Sequence, residues 1–146
     1  MSRIFDQLVN IVTQLRHPSL GCPWDSKQTF ESIAAHTLEE AYEVVDAIKQ
    51  NNADDIIEEL GDLLFQIVFL CSIAQDSRLF GIEDVIKRIS DKMISRHPHV
   101  FDQKETLTYD VQIDAWEKKK EKERDLKANK VNTKGALSIF EGIALA

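Results

Sequence analysis

Between residues 36 and 62 nine carboxylates, Glu39, Glu40, Glu43, Asp46, Asp54, Asp55, Glu58, Glu59 and Asp62, face a single lysine, Lys49. This stretch is more negative than the whole chain, which sums to −7, so the rest is close to neutral. The acids are not on a linker. Leu38, Tyr42 and Val45 in the first half, and Ile56, Leu60, Leu63, Leu64 and Ile67 in the second, recur at helical spacing, with Asn51-Asn52 as punctuation between them. The pattern predicts an antiparallel helix pair with carboxylates on both members.

Residues three or four apart on a helix are neighbours, so Glu39 with Glu43, Glu40 with Glu43, and Glu59 with Asp62 each share a face. On a solvated surface such like-charge pairs cost only about 0.2–0.5 kcal/mol each, and an acidic face would need no further account. The second helix argues otherwise. Residues 63–74, LLFQIVFLCSIA, are apolar nearly all round, the mark of a helix covered on most sides. Asp55, Glu59, Asp62 and Gln66 form one narrow polar stripe that runs into it. Acids taken toward a core must shift pKa, pair or bind a metal. Few bases lie nearby in sequence, and hard oxygen ligands suit Mg²⁺ or Mn²⁺. A solvated acidic face is the alternative.

Glu39-Glu40-x-x-Glu43, followed after a spacer by Glu59-x-x-Asp62, resembles the E-E-x-x-E … E-x-x-D signature of the MazG-type nucleoside triphosphate pyrophosphohydrolases, part of the all-α NTP pyrophosphatase group. Four further blocks carry the resemblance across nearly the whole chain: Cys22-Pro23-Trp24-Asp25, Gly61-Asp62-Leu63-Leu64-Phe65, Arg96-His97-Pro98-His99-Val100-Phe101 and Trp116-Glu117.

The resemblance implies an all-α antiparallel helical bundle, completed by homodimerisation, that hydrolyses nucleoside triphosphates to the monophosphate and pyrophosphate with Mg²⁺, or Mn²⁺ in its place. Glu40, Glu43, Glu59 and Asp62 match the metal-binding positions. Glu39, beside the ligands but not needed to complete the set, is the candidate to orient or deprotonate the attacking water. Lys92 and Arg96 would bind phosphates, while Trp116 and Lys120 would contribute to the nucleotide pocket. Three other readings stay open: a related all-α pyrophosphohydrolase for dUTP or phosphoribosyl-ATP, a metal-stabilised bundle that binds partners without catalysis, and a nucleotide sensor without turnover. The base and sugar preferred are not legible.

A chain of 146 residues is expected to form one domain over 1–146. Two cysteines, Cys22 in a loop and Cys71 in an apolar helix, make no disulfide framework and suggest a reducing cytoplasm. No signal peptide and no membrane-spanning run is expected, and the negative balance argues against nucleic acid or an anionic membrane as partner. A phosphorylated substrate remains compatible, because a bound cation inverts the local sign.

Elsewhere, Ile4, Phe5, Leu8, Ile11, Val12 and Leu15 predict a first helix stopping before His17-Pro18. In the loop after it, Cys22 reads as a packed turn residue and Asp25 as a helix cap, while Trp24 is either an anchor against the bundle, which the sequence alone favours, or a substrate contact that stacks on a base. Thr37-x-x-Glu40 has capping-box form, which would break the chain near Ala34-Ala35 and restart a helix there. Ile82, Val85, Ile86, Ile89 and Met93 predict another helix, with Lys92 and Arg96 one turn apart near its end, placed either as a dipole cap or as a phosphate clamp. Pro98 is expected to hold its segment extended, pointing His97 and His99 to opposite sides. Residues 110–130 predict a long charged helix in which Trp116 and Lys120 lie one turn apart. The apolar stretch 135–146 ends where the resembling family usually continues, as in a short form or fragment, and is expected to pack on a partner.

Overall fold

The structure is a computed structural model and describes residues 3–102, 104 and 106–131; the stretch 135–146 lies outside them. All regular structure among the described residues is helical: α1 (Arg3–Leu15), a 3₁₀ turn (Asp25–Lys27), α2 (Phe30–Gln50), α3 (Ala53–Asp76), α4 (Ile82–Arg96), α5 (Pro98–Phe101) and α6 (Tyr109–Val131). The all-α expectation is borne out. The chain divides into two compact units, residues 1–88 and 89–146.

In the first unit α3 packs along α2 and against α1. Val12 of α1, Ile33 of α2, and Val68, Phe69 and Ile73 of α3 form its core, with Phe5, Leu8, Val9, Phe30, Phe65, Leu70 and Ile82 packed around them. The core therefore sits at the C-terminal half of α3, where α1 and α2 both cover it. Toward its N-terminus α3 has α2 as its helical neighbour, and none of the acids of the stripe is fully buried: Gln66 is buried, Asp62 is exposed, and Glu59 and Asp55 are half-buried. The acidic stripe ends at the core rather than entering it.

Two turns fix this arrangement. Asn51 closes α2 at φ 56°, a left-handed conformation that asparagine tolerates, and the Asn52 side chain accepts a hydrogen bond from the Asp54 amide to start α3. After α1, the chain folds back so tightly that a Cβ added at Gly21 would lie 2.3 Å from the Leu15 carbonyl oxygen and 2.7 Å from that of Gln14. Only glycine allows this approach.

α2 corrects one expectation. It runs unbroken from Phe30, capped by Thr29, whose hydroxyl accepts from the Ser32 amide while Ser32 Oγ accepts from the Thr29 amide. Thr37 lies inside the helix and donates to the Ile33 carbonyl at 3.1 Å. A threonine three residues before a glutamate satisfies the capping pattern without being a cap, because continued helix already supplies its backbone partners. Asp25 likewise is no side-chain cap; it lies within the 3₁₀ turn, and the cap is Thr29.

Most of the stripes read from the sequence prove to face outward, although Ile56 and Leu63 are half-buried. Leu38, Tyr42 and Val45 on α2, and Leu60, Leu64 and Ile67 on α3, are each at least 39% exposed. The more covered side of α2 carries Ile33, Thr37, Glu40, Val44 and Ala47 instead. Polar residues enter that stripe where the acids converge, and the better apolar stripe is left on the surface. No helix among the described residues is long and apolar enough to cross a membrane.

In the second unit the end of α4 and α6 are held by polar contacts. Arg96 Nε and Nη2 donate to the two carboxylate oxygens of Glu123 at 3.1 and 2.5 Å, and Lys119 Nζ donates to the Ser95 carbonyl at 2.6 Å. Pro98 opens the short helix α5, at the first-turn position where its missing N–H costs nothing. This overturns the extended reading: the helical turn brings the His97 and His99 rings to 5.8 Å instead of separating them. His97 Nδ1 lies 2.7 Å from the Met93 carbonyl oxygen, which ties the ring to the last turn of α4.

Candidate metal centre and nucleotide-binding residues

On α2, Glu40 and Glu43 are one turn apart; on α3, Glu59 faces them. One carboxylate oxygen from each lies within 4.8 Å of the other two. Glu40 is half-buried, and its Oε2 is buried without a hydrogen-bond partner. An orphaned buried carboxylate oxygen is costly unless a proton or a cation meets it. Burial raises the Glu40 pKa above the ordinary carboxylate value, and the charges of Asp62, Glu43 and Glu59 add to the shift. Glu59 is raised for the same reason, burial first and then Glu43 and Asp62. Three convergent hard oxygen donors, with Glu40 both orphaned and, like Glu59, raised in pKa, fit a divalent cation such as Mg²⁺ or Mn²⁺.

Asp62 is exposed, and its charge acts on both Glu40 and Glu59. Glu39 is exposed on α2 beside His36, whose Nδ1 lies 3.7 Å from the Glu39 Oε2. An open depression of about 200 Å³ adjoins the cluster, lined by Glu43, Asp46, Ala47, Gln50, Asp55 and Glu59. A larger one, about 760 Å³, runs over Arg3, Asp6 and Gln14 on α1 and gathers no comparable chemistry.

Trp24 stands in the turn before α2, 53% exposed, with its ring edge-to-face with His36 at 5.9 Å. In the second unit, Lys120 Nζ is 4.7 Å and the Arg96 guanidinium 6.0 Å from the centre of the Trp116 ring. Lys120 also pairs with Glu117 at 3.1 Å. Lys92 is half-buried, close enough to Glu123 to help lower its pKa, though the Arg96 hydrogen bond is the main cause. Sequence reading missed Glu123, which occupies the Arg96 fork, and His36, which touches both Trp24 and Glu39. The His36–Glu39 pair is three residues apart on one helix, which spacing does offer; Glu123 carries no local signal. Glu123 is one acid among many on α6, and the His36–Trp24 contact exists only through the fold.

The fold and cluster define an all-α protein with a carboxylate centre suited to a divalent cation. Residues 28–101 match the MazG nucleotide pyrophosphohydrolase domain, and the chain belongs to that family. It is 48% identical over 123 residues to the nucleoside triphosphate pyrophosphohydrolase of Escherichia coli K12, covering 84% of this chain and 47% of that protein. It is 42% identical over 129 residues to the nucleoside triphosphate pyrophosphohydrolase/pyrophosphatase MazG of Thermotoga maritima, covering 88% and 50%. The chain thus spans about half the length of the curated relatives it matches. The crystal structure of a MazG-related protein from Thermotoga maritima superposes with a TM-score of 0.65 at 26% identity, covering 80% of this chain and 98% of that one.

Proposed function

We propose that this protein hydrolyses nucleoside triphosphates to nucleoside monophosphate and pyrophosphate, with Mg²⁺ or Mn²⁺ as cofactor. The observation that carries the reading is the convergence of Glu40, Glu43 and Glu59 within 4.8 Å, with Glu40 Oε2 buried and unpartnered. Glu40, Glu43, Glu59 and Asp62 are the residues that would hold the cation. Bound there, it supplies neutralisation of the triphosphate's charge.

Glu39 stands next to the ligands with its carboxylate at the surface, available to orient a water and accept its proton. As the water oxygen bonds to the α-phosphorus, the bond from that phosphorus to the bridging oxygen breaks, and pyrophosphate leaves with the electron pair. Lys92, Arg96 and Lys120 supply cationic contacts to phosphate, while Trp24 and Trp116 offer ring faces to the base. For Arg96, phosphate must share or replace the carboxylate of Glu123.

The outward apolar stripes of α2 and α3 support a homodimer in which a second copy covers them. Both described cysteines are free, which suits a reducing cytoplasm.

The test is release of pyrophosphate versus orthophosphate from the eight standard NTPs and dNTPs, with Mg²⁺ and with EDTA, for the wild type and Glu43→Gln. Mg²⁺-dependent pyrophosphate with matching monophosphate, lost in the variant, is the expected result. A folded, Mg²⁺-binding protein without turnover would reject the enzyme reading.

A further inference from the structure

Arg16 is a buried cation with several partners that lies outside the acidic centre. It follows directly on α1, and its side chain is only 6% exposed. Nε donates to Ser72 Oγ at 3.1 Å, Nη1 to the Asp25 backbone carbonyl at 3.0 Å, and Nη2 to Asp76 Oδ2; the guanidinium lies 5.0 Å from the centre of the Phe69 ring. One side chain thus joins the end of α1, the C-terminal half of α3 and the turn before α2. A lysine could neutralise Asp76, but it has no planar fork to reach three acceptors together.

The bond to the Asp25 carbonyl is the informative one. Asp25 follows Trp24, and the Trp24 carbonyl is itself tied down by Gln28 Nε2 at 2.9 Å. Trp24 keeps about half its surface exposed while its ring contacts His36 on α2. His36 lies one helical turn before Glu40, so the tryptophan stands beside the N-terminal approach to the carboxylates. An exposed ring on a turn whose backbone is bonded to a buried arginine has the form of a rigid stacking wall.

We propose that Arg16 is a positioning residue for nucleotide binding: by anchoring the Asp25 carbonyl it sets Trp24 in place to stack on the base. This rests on the reading of Trp24 as a nucleotide contact. Arg16 touches neither substrate nor cation, and it acts on affinity rather than on the chemical step. Losing the base–aromatic stack should weaken binding roughly tenfold, within the range such stacking supplies per base.

The test uses the full chain with Mg²⁺. KM and kcat for NTP hydrolysis and the calorimetric Kd of α,β-methylene-ATP and α,β-methylene-UTP are measured for the wild type, Arg16→Lys, Arg16→Met, Trp24→Ala and the Arg16/Trp24 double variants. Arg16→Lys keeps a charge for Asp76 and covers the case in which Arg16→Met does not fold. Expected are a roughly tenfold rise in KM and Kd for each single variant, kcat within threefold of wild type, and a double variant no weaker than Trp24→Ala alone. A purely structural arginine would lower the melting temperature without this non-additivity. Wild-type KM and Kd in Arg16→Lys, multiplicative losses in the double variant, or no analogue binding by the wild type would overturn the proposal. Analogue binding with the expected coupling but no pyrophosphate release would uphold the role of Arg16 and reject the hydrolase reading.

Discussion

Glu40 on α2 and Glu59 on α3 each bring a carboxylate oxygen to within 4.8 Å of the other, and burial raises the pKa of both. Two helices that gain stability by packing at one end hold like charges together at the other. A cation bound there would relieve the repulsion, which makes stability a readout of the proposed metal binding.

Glu40→Gln and Glu43→Gln are therefore expected to raise the melting temperature of the metal-free protein slightly, while lowering divalent-cation affinity and NTP turnover by at least about a hundredfold. Calorimetric unfolding with EDTA, Mn²⁺ titration followed by electron paramagnetic resonance, and pyrophosphate release check the three parts. In the wild type, Mg²⁺ at about 100 times its Kd should add roughly 2.7 kcal/mol of stability, and this gain should vanish in the variants.

The pH dependence of the two carboxylate systems should have opposite signs. Glu40 and Glu59 have raised pKa values, so the folded state holds their protons more tightly than the unfolded chain does. Their contribution to stability is largest below the ordinary carboxylate pKa and is lost as pH rises through the raised folded value. Glu123 is lowered, chiefly by its hydrogen bond from Arg96; its contribution is present above the ordinary value and is lost as pH falls through the lowered one. Carbon-13 carboxyl NMR titration should find Glu40 and Glu59 titrating late and Glu123 early. Arg96→Gln should return Glu123 toward the ordinary value and leave Glu40 unmoved.

Gly21→Ala places a methyl group 2.3 Å from the Leu15 carbonyl oxygen, where backbone rather than a flexible side chain must give way. Overpacking of this kind costs about 1–3 kcal/mol. Urea unfolding should show the loss in the midpoint with little change in slope. Gly61, inside α3, has nothing within 4 Å of an added Cβ. Gly61→Ala should instead stabilise the isolated chain by roughly 0.5–1 kcal/mol.

Tyr42 and Leu60 are 62% and 49% exposed on the outward stripes of α2 and α3. Placing arginine at either position should shift sedimentation equilibrium from dimer to monomer at micromolar concentration and leave the far-ultraviolet helical signal intact. A monomeric wild type would reject the homodimer.

Much of this was legible in sequence because it is local. The acids at helical spacing, the Asn51-Asn52 break, the end of the first helix and the long charged helix α6 all follow from periodicity and turn chemistry within a few residues. The errors share one cause: a local pattern has more than one realisation. Thr37-x-x-Glu40 could cap a helix, but Thr29 had already started it; Pro98 could extend a segment, but at the first position of a turn it begins a helix.

The amino-acid sequence by itself determined the helical class and the family, because residue type and spacing within short blocks suffice for both, and it singled out the carboxylates proposed to hold a cation. Only the tertiary structure decided which helix faces meet. The richer apolar stripe of α2, through Leu38 and Tyr42, points outward, and the mixed stripe through Glu40 faces α3. The tertiary structure also brought Arg16 to the turn carrying Trp24 and Glu123 to the fork of Arg96. Such contacts join residues far apart in the chain, and their energies depend on how the helices pack, which no local spacing encodes.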